Sequence, residues 1–135
     1  MMKCDKYIIK PEEKLVVGEM KRKTPKNVTQ ECLDKNKTLY SLFLDLHIKG
    51  IIKDVSDMKQ PFKGVAKCQN EDDFSEKTGK KIADMKVGYK YHMAMYKKYK
   101  QLLNIIRDIE CDVIDLKNSH IEAATKLDDK LAKFL

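Results

Sequence analysis

At 135 residues the chain has the length of one domain with room for a modest core. Charged residues make up 36% and hydrophobic residues 42%, and no window approaches the roughly 18 apolar residues that a membrane span needs. The net charge of +7 admits an anionic partner and asks where the charge is placed.

The N-terminus (Met1-Met2-Lys3-Cys4-Asp5-Lys6-Tyr7) lacks the apolar core of a signal peptide, so a cytoplasmic location is expected. Lys6–Ile9 and Lys14–Met20 read as two short strands rich in β-branched and aromatic residues, with Pro11-Glu12-Glu13 as the turn. Lys21–Lys26 is a basic loop, read as a solvated connection or a phosphate contact.

Residues 27–55 fit two patterns. Val28, Cys32, Leu39, Leu42, Phe43 and Leu46 suit a helix with Asn27 at its cap. Leu42, Leu44, Leu46 and Ile48 alternate as a strand would. The strand is favoured for Leu39–Lys49, with Asp34–Lys37 as a turn and Val28–Asn36 left open. Gly50 then marks a bulge, and Ser56–Pro61 reads as a loop.

Phe62–Cys68 reads as a further strand, with Phe62, Gly64, Ala66 and Cys68 on one face. A polar turn, Gln69–Glu76, enters a helix, with Asp73 and Glu76 outlining a capping box. From there a 3-4 repeat takes Ile82, Met85, Tyr89, His92, Tyr96, Tyr99, Leu103, Ile106, Ile109, Val113, Leu116, His120, Ala123, Leu127, Lys130 and Phe134. No Pro follows Pro61 and no Gly follows Gly88. Seven such heptads indicate a coiled-coil-type helix or a helical hairpin. Asn118-Ser119, then Asn104, are the expected breaks, and Gly79 and Gly88 are expected to let the strands approach.

Unbroken, such a helix would reach about 90 Å at 1.5 Å per residue, and its seam needs a second copy, another partner or a fold-back. Its charge is polarised. Lys77–Lys100 holds eight lysines and one acid, whereas Arg107–Leu135 holds five basic and seven acidic residues. That polarity favours an antiparallel arrangement.

The chemistry-bearing residues form no recognised catalytic set. Cys4, Cys32, Cys68 and Cys111 are scattered, with neither a Cys-x-x-Cys pair nor a His at zinc-like spacing, and read as free thiols. His47, His92 and His120 read as packed polar residues. There is no nucleophile elbow, phosphate-cradling Gly loop or metalloprotease motif. A non-enzymatic protein without cofactor or metal is expected. Tyr89–Lys100 interleaves aromatics with lysines, a pattern that stacks bases and contacts phosphates, or else forms the solvated flank of a coiled coil.

Gly64-Val65-Ala66-Lys67-Cys68, then Asp72-Asp73-Phe74, then Gly79-Lys80-Lys81-Ile82-Ala83 together resemble a pattern in small phage and prophage proteins of Gram-positive hosts. In those proteins a small antiparallel sheet precedes the turn and a helical, often coiled-coil, tail follows. The chain departs from the pattern at Asn70, where Pro is common, and at Ser75, where Asp is common. The layout is also similar to that of anti-Thoeris sponge proteins, which sequester cyclic-nucleotide signals.

The expected fold is α+β: residues 1–70 a small antiparallel sheet region, and residues 71–135 a long helical region, in one structural domain. The resemblance implies a phage-derived inhibitor acting in the host bacterial cytoplasm on an immune component such as a CRISPR–Cas effector. The alternatives are a sponge for a cyclic-nucleotide or ADP-ribose-type signal and a DNA- or RNA-binding protein. Candidate partners are a host defence protein or nucleoprotein, a nucleotide or a nucleic acid, with no membrane. Candidate contact residues are Asn70, Asp72, Lys77, Lys80, Lys81, Lys90, Tyr91, Lys97 and Lys98, near the junction of the acidic turn and the basic half-helix. Ile82, Tyr89, Tyr96, Tyr99, Leu103, Ile106, Val113, Leu116 and Leu127 are the expected seam of a homodimer or larger homo-oligomer.

Overall fold

The computed structural model describes residues 2–20, 26–57, 62–68 and 73–135. The chain is an α+β protein: a three-stranded antiparallel sheet followed by a long C-terminal helix, with two short helices between the second and third strands. The elements are β1 (Lys6–Lys10), β2 (Leu15–Met20), α1 (Val28–Lys35), α2 (Lys37–Ile48), β3 (Phe62–Lys67) and α3 (Glu76–Ala132). Two compact units result, Met1–Tyr99 and Lys100–Leu135. The division between these units falls inside α3, and the first 70 residues hold helices as well as the sheet.

β2 is the central strand. Pro11–Glu13 form a single 3-10 turn, and Lys14 closes it in a left-handed conformation (φ 51°), its N–H donating to Pro11 O. The pairing sets Ile9, Val16 and Ala66 in one row, and Tyr7, Gly18 and Gly64 in the next. Both rows face the first half of α3. Packing there is close because the facing residues are small. A Cβ on Gly64 would stand 2.4 Å from Ala83 O, and one on Gly79 would stand 2.6 Å from Val16 Cγ2. Val16, Ala66 and Ala83 are buried together at this contact, with Ile82 and Phe74 packed against them. Gly88 plays no such part, since a Cβ there would meet nothing within 4 Å. The opposite sheet face carries the row Ile8, Val17 and Val65, with Ile8 and Val65 exposed.

The expected strand at Leu39–Lys49 is a helix. Leu42, Leu44, Leu46 and Ile48 alternate, but Leu39, Phe43 and Leu46 also share a helical face, and Phe43 and Leu46 are buried. Two asparagines decide the local structure. Asn27 caps α1 in a full capping box with Gln30, and Asn36 accepts from the Thr38 and Leu39 N–H groups to start α2. The Asp34–Lys37 turn thus shrinks to one residue, Asn36. Gly50 (φ 72°) follows the end of α2 rather than forming a strand bulge.

Ser75, not Asp73, caps α3. Its hydroxyl oxygen accepts from the Thr78 N–H at 3.3 Å and its carbonyl from the Gly79 N–H at 2.9 Å. The helix runs without a break through Asn104 and Asn118-Ser119, so a hairpin is not formed. No helix among the described residues is long and apolar enough to cross a membrane.

Candidate functional site: a lysine and aromatic face on the long helix

Tyr91 sets the orientation of this face. The side chain is 3% exposed, its hydroxyl donates to the Lys26 carbonyl, and its ring meets Phe62 edge-on at 6.0 Å. Burial pushes its pKa up, helped by the nearby charges of Glu31 and Asp54. Tyr91 is expected from the sequence to be free for ligand contact, and the structure corrects this: an aromatic whose ring is packed and whose hydroxyl is engaged belongs to the core. With Tyr91 turned inward, Tyr89, Lys90 and Lys97 are left exposed.

On this face Phe62, Tyr89, Met93 and Ala94 line a cavity of about 420 Å³ together with Lys90, Lys97 and Lys98. Tyr89 is 68% exposed. Among the described residues none of these three lysines makes an ion pair, so their charge is available. An apolar and aromatic surface beside uncompensated ammonium groups suits a flat anion, which gives a ring to stack and a phosphate to contact.

The other lysines expected at the site are not gathered there. At 100° per residue, Lys77 and Lys81 leave nearly the opposite side of α3 from Lys97, and both are exposed. Lys80 lies 5.2 Å over the Tyr7 ring and pairs with Glu76 at 3.4 Å, so it helps hold the helix on the sheet. Asn70 and Asp72 lie outside the described residues, as do residues 21–25 of the basic loop and 58–61 of the Ser56–Pro61 loop. Of the expected seam, Ile82 and Tyr99 are used within the first unit: Ile82 packs on the sheet and the Tyr99 hydroxyl donates to Glu31 Oε1 at 2.7 Å.

Two buried carboxylates leave no signal in the sequence because their partners are distant in the chain. Asp84 Oδ1 accepts from the Cys4 N–H at 2.8 Å and the Tyr7 hydroxyl at 2.5 Å. Burial alone would raise its pKa, but these donors hold it below the ordinary value. The same burial and the same carboxylate push the Cys4 thiol up to about 12 and raise Tyr7. A thiol kept protonated is the reverse of an activated nucleophile, so the cluster is a structural tie. Asp54 accepts from the Val28, Thr29 and Val55 N–H groups and the Thr29 hydroxyl at 2.7–2.9 Å, satisfying the start of α1.

A second cleft of about 440 Å³ lies among Glu31, Cys32, Leu39 and Tyr99. Its charges are largely engaged already, Lys26 with Asp34 and Glu31 with Tyr99, which leaves it the weaker candidate. Among the described residues no group of three His, Cys, Asp or Glu could hold a metal ion. His47 stacks on Phe43 within α2, whereas His92 and His120 are exposed and not packed as expected.

No family model, curated protein or solved structure matches the chain at a significant level.

Proposed function

We propose that the chain is a non-enzymatic binding protein, a phage-derived inhibitor that neutralises a component of a bacterial immune system, such as a CRISPR–Cas effector, by occupying it. The observation that carries this reading is the set of Lys90, Lys97 and Lys98, without an ion pair among the described residues, beside exposed Tyr89 and the Phe62–Met93 surface. A basic surface of this kind suits a nucleoprotein, whose nucleic acid supplies both phosphates and bases. The resemblance of the Gly64–Ala83 segment to small phage proteins supplies the biological setting, the host bacterial cytoplasm. The test is direct. Purified protein is expected to bind a defence effector and to restore phage infection in defended cells, and the Lys90→Glu/Lys97→Glu/Lys98→Glu variant to do neither. Absence of binding to every effector, together with unchanged infection, would end the reading.

The cavity itself favours a second reading, a sponge for a nucleotide signal. About 420 Å³ is within the usual range for a small-molecule site, and its lining pairs aromatic with cationic groups. Calorimetry with cyclic nucleotides and ADP-ribose derivatives tests it, and no heat with any of them removes it. Single-stranded DNA or RNA is the third ligand for the same face. Its signature is affinity that falls steeply with salt.

A further inference from the structure

We infer that the second unit, Lys100–Leu135, pairs antiparallel with the same segment of a second copy of this chain, around a two-fold axis at Asn118. The inference stands apart from the proposed function and uses only the second half of α3.

Every residue from Arg107 to Leu135 is exposed. Among them Ile109, Val113, Leu116 and Leu127 are 44–64% exposed, and Phe134 is 88% exposed. With His120, Ala123 and Lys130 between them they follow alternating spacings of four and three, so they form one stripe along the helix. A stripe of large apolar side chains this long is an interaction surface. The continuity of α3 through Ala132 removes the fold-back by which a single chain could cover it.

Charge and layer composition select the occupant and its direction. In a parallel in-register pair each seam residue meets itself, so Lys130 would face Lys130 and His120 would face His120. Two ammonium groups inside a seam are unfavourable. In an antiparallel pair centred on Asn118, Ile109 meets Leu127, Val113 meets Ala123, and Leu116 meets His120 of the second copy. Lys130 then meets Ile106, where its alkyl stem can lie on apolar surface while the amine reaches water.

The flanks agree with this register. Asp112 comes beside Lys126 of the second copy, twice by symmetry. On the other flank Leu103 comes beside Leu131, covering two leucines that are 43% and 60% exposed; Leu103, expected in the seam, lies beside it because the 3-4 phase of Ile106 and Ile109 runs back to Leu102. Lys117 meets its own copy at the axis, at the edge of the seam where both side chains can turn to solvent. Each layer occurs twice, as the self-complementary surface of a two-fold dimer requires.

Light scattering on the full chain measures the mass, and cysteine crosslinking measures the direction. The crosslinking background is Cys68→Ser/Cys111→Ser, which leaves the buried Cys4 and Cys32 in place. A dimer mass is expected, and Val113→Asp/Leu127→Asp is expected to reduce it to a monomer with the helical circular dichroism of the first unit retained. Chains carrying Ile109→Cys, mixed with chains carrying Leu127→Cys, are expected to form the mixed disulfide. Neither alone should crosslink to itself, nor should Lys130→Cys. Self-crosslinking of Lys130→Cys would establish a parallel pair. A monomeric parent chain, or an aspartate variant still dimeric, would overturn the proposal.

Discussion

The Tyr7 hydroxyl donates to Asp84 Oδ1 at 2.5 Å, joining the first strand to the long helix across 77 positions of sequence. The same oxygen receives the Cys4 N–H, so one carboxylate anchors the N-terminal segment and β1 to α3. Asp84→Ala leaves a buried N–H and a part-buried hydroxyl without an acceptor and is expected to cost about 2–4 kcal/mol. Urea unfolding measures it, and a loss below 1 kcal/mol would show that water replaces the carboxylate.

The same cluster gives the stability a pH profile with two edges. The Asp84 pKa is lowered from its ordinary 3.8, so the folded state binds that proton less readily than the unfolded chain. Its contribution is present above about pH 4 and is lost as pH falls through the folded value. Cys4 and Tyr7 are raised from 9.0 and 10.0, and the unfolded chain releases those protons first. Their contribution is therefore lost as pH rises above about 9. Chemical denaturation from pH 3 to 11 should show both edges, and Asp84→Asn should flatten the acid one.

Glycines of one helix and its facing strand should respond with opposite signs. Gly64→Ala places a Cβ 2.4 Å from Ala83 O, and backbone cannot yield cheaply, so a loss of about 2 kcal/mol or more is expected. Gly88→Ala meets nothing within 4 Å and should stabilise the helix by about 0.5–1 kcal/mol. Thermal unfolding of the two variants reads the contrast.

Asp54→Ala removes the acceptor for the first N–H groups of α1 and is expected to cost about 1–3 kcal/mol. Asn27→Ala, at the exposed side of the same helix start, should cost about 1 kcal/mol. Neither should change binding at the Lys90–Lys98 face, which a titration of both variants with single-stranded oligonucleotide would check.

Thiol reactivity should follow burial. Cys111 is exposed and Cys68 half-buried, whereas Cys4 and Cys32 are buried. Cys111 is expected to react first with an aromatic disulfide reagent in native buffer and Cys68 more slowly. Cys4, held protonated up to about 12, and Cys32 should react only on unfolding. Fast modification of four thiols in the native state would contradict the packing around Val28 and Val87.

The strands and the long helix were legible in the sequence because their signals are local. Alternation at Lys6–Met20 and Phe62–Cys68, and a long 3-4 repeat free of Pro with one doubled three at Leu103-Ile106-Ile109, depend only on neighbours in the chain. Leu39–Lys49 reads as a strand in the sequence and folds as a helix because its leucines satisfy both periods. The decisive cue was the pair of cap residues, Asn27 and Asn36, which hold the ends of two short helices. The candidate face is half legible in the sequence: Lys90, Lys97 and Lys98 stand out in the pattern, but Phe62 enters from another element and Tyr91 turns away.

The sequence by itself determined that α3 is amphipathic, basic in its first half and acidic in its second, since period and charge order are properties of the chain. Only the tertiary structure decided which side of that helix is spent on the core. The small residues Gly64, Gly79 and Ala83 let the sheet approach one side, and Asp84 and Tyr91 lock it there through partners about 80 and 65 positions away. Close packing admits one rotation of a helix on a sheet. That rotation leaves Tyr89 and its neighbouring lysines outside.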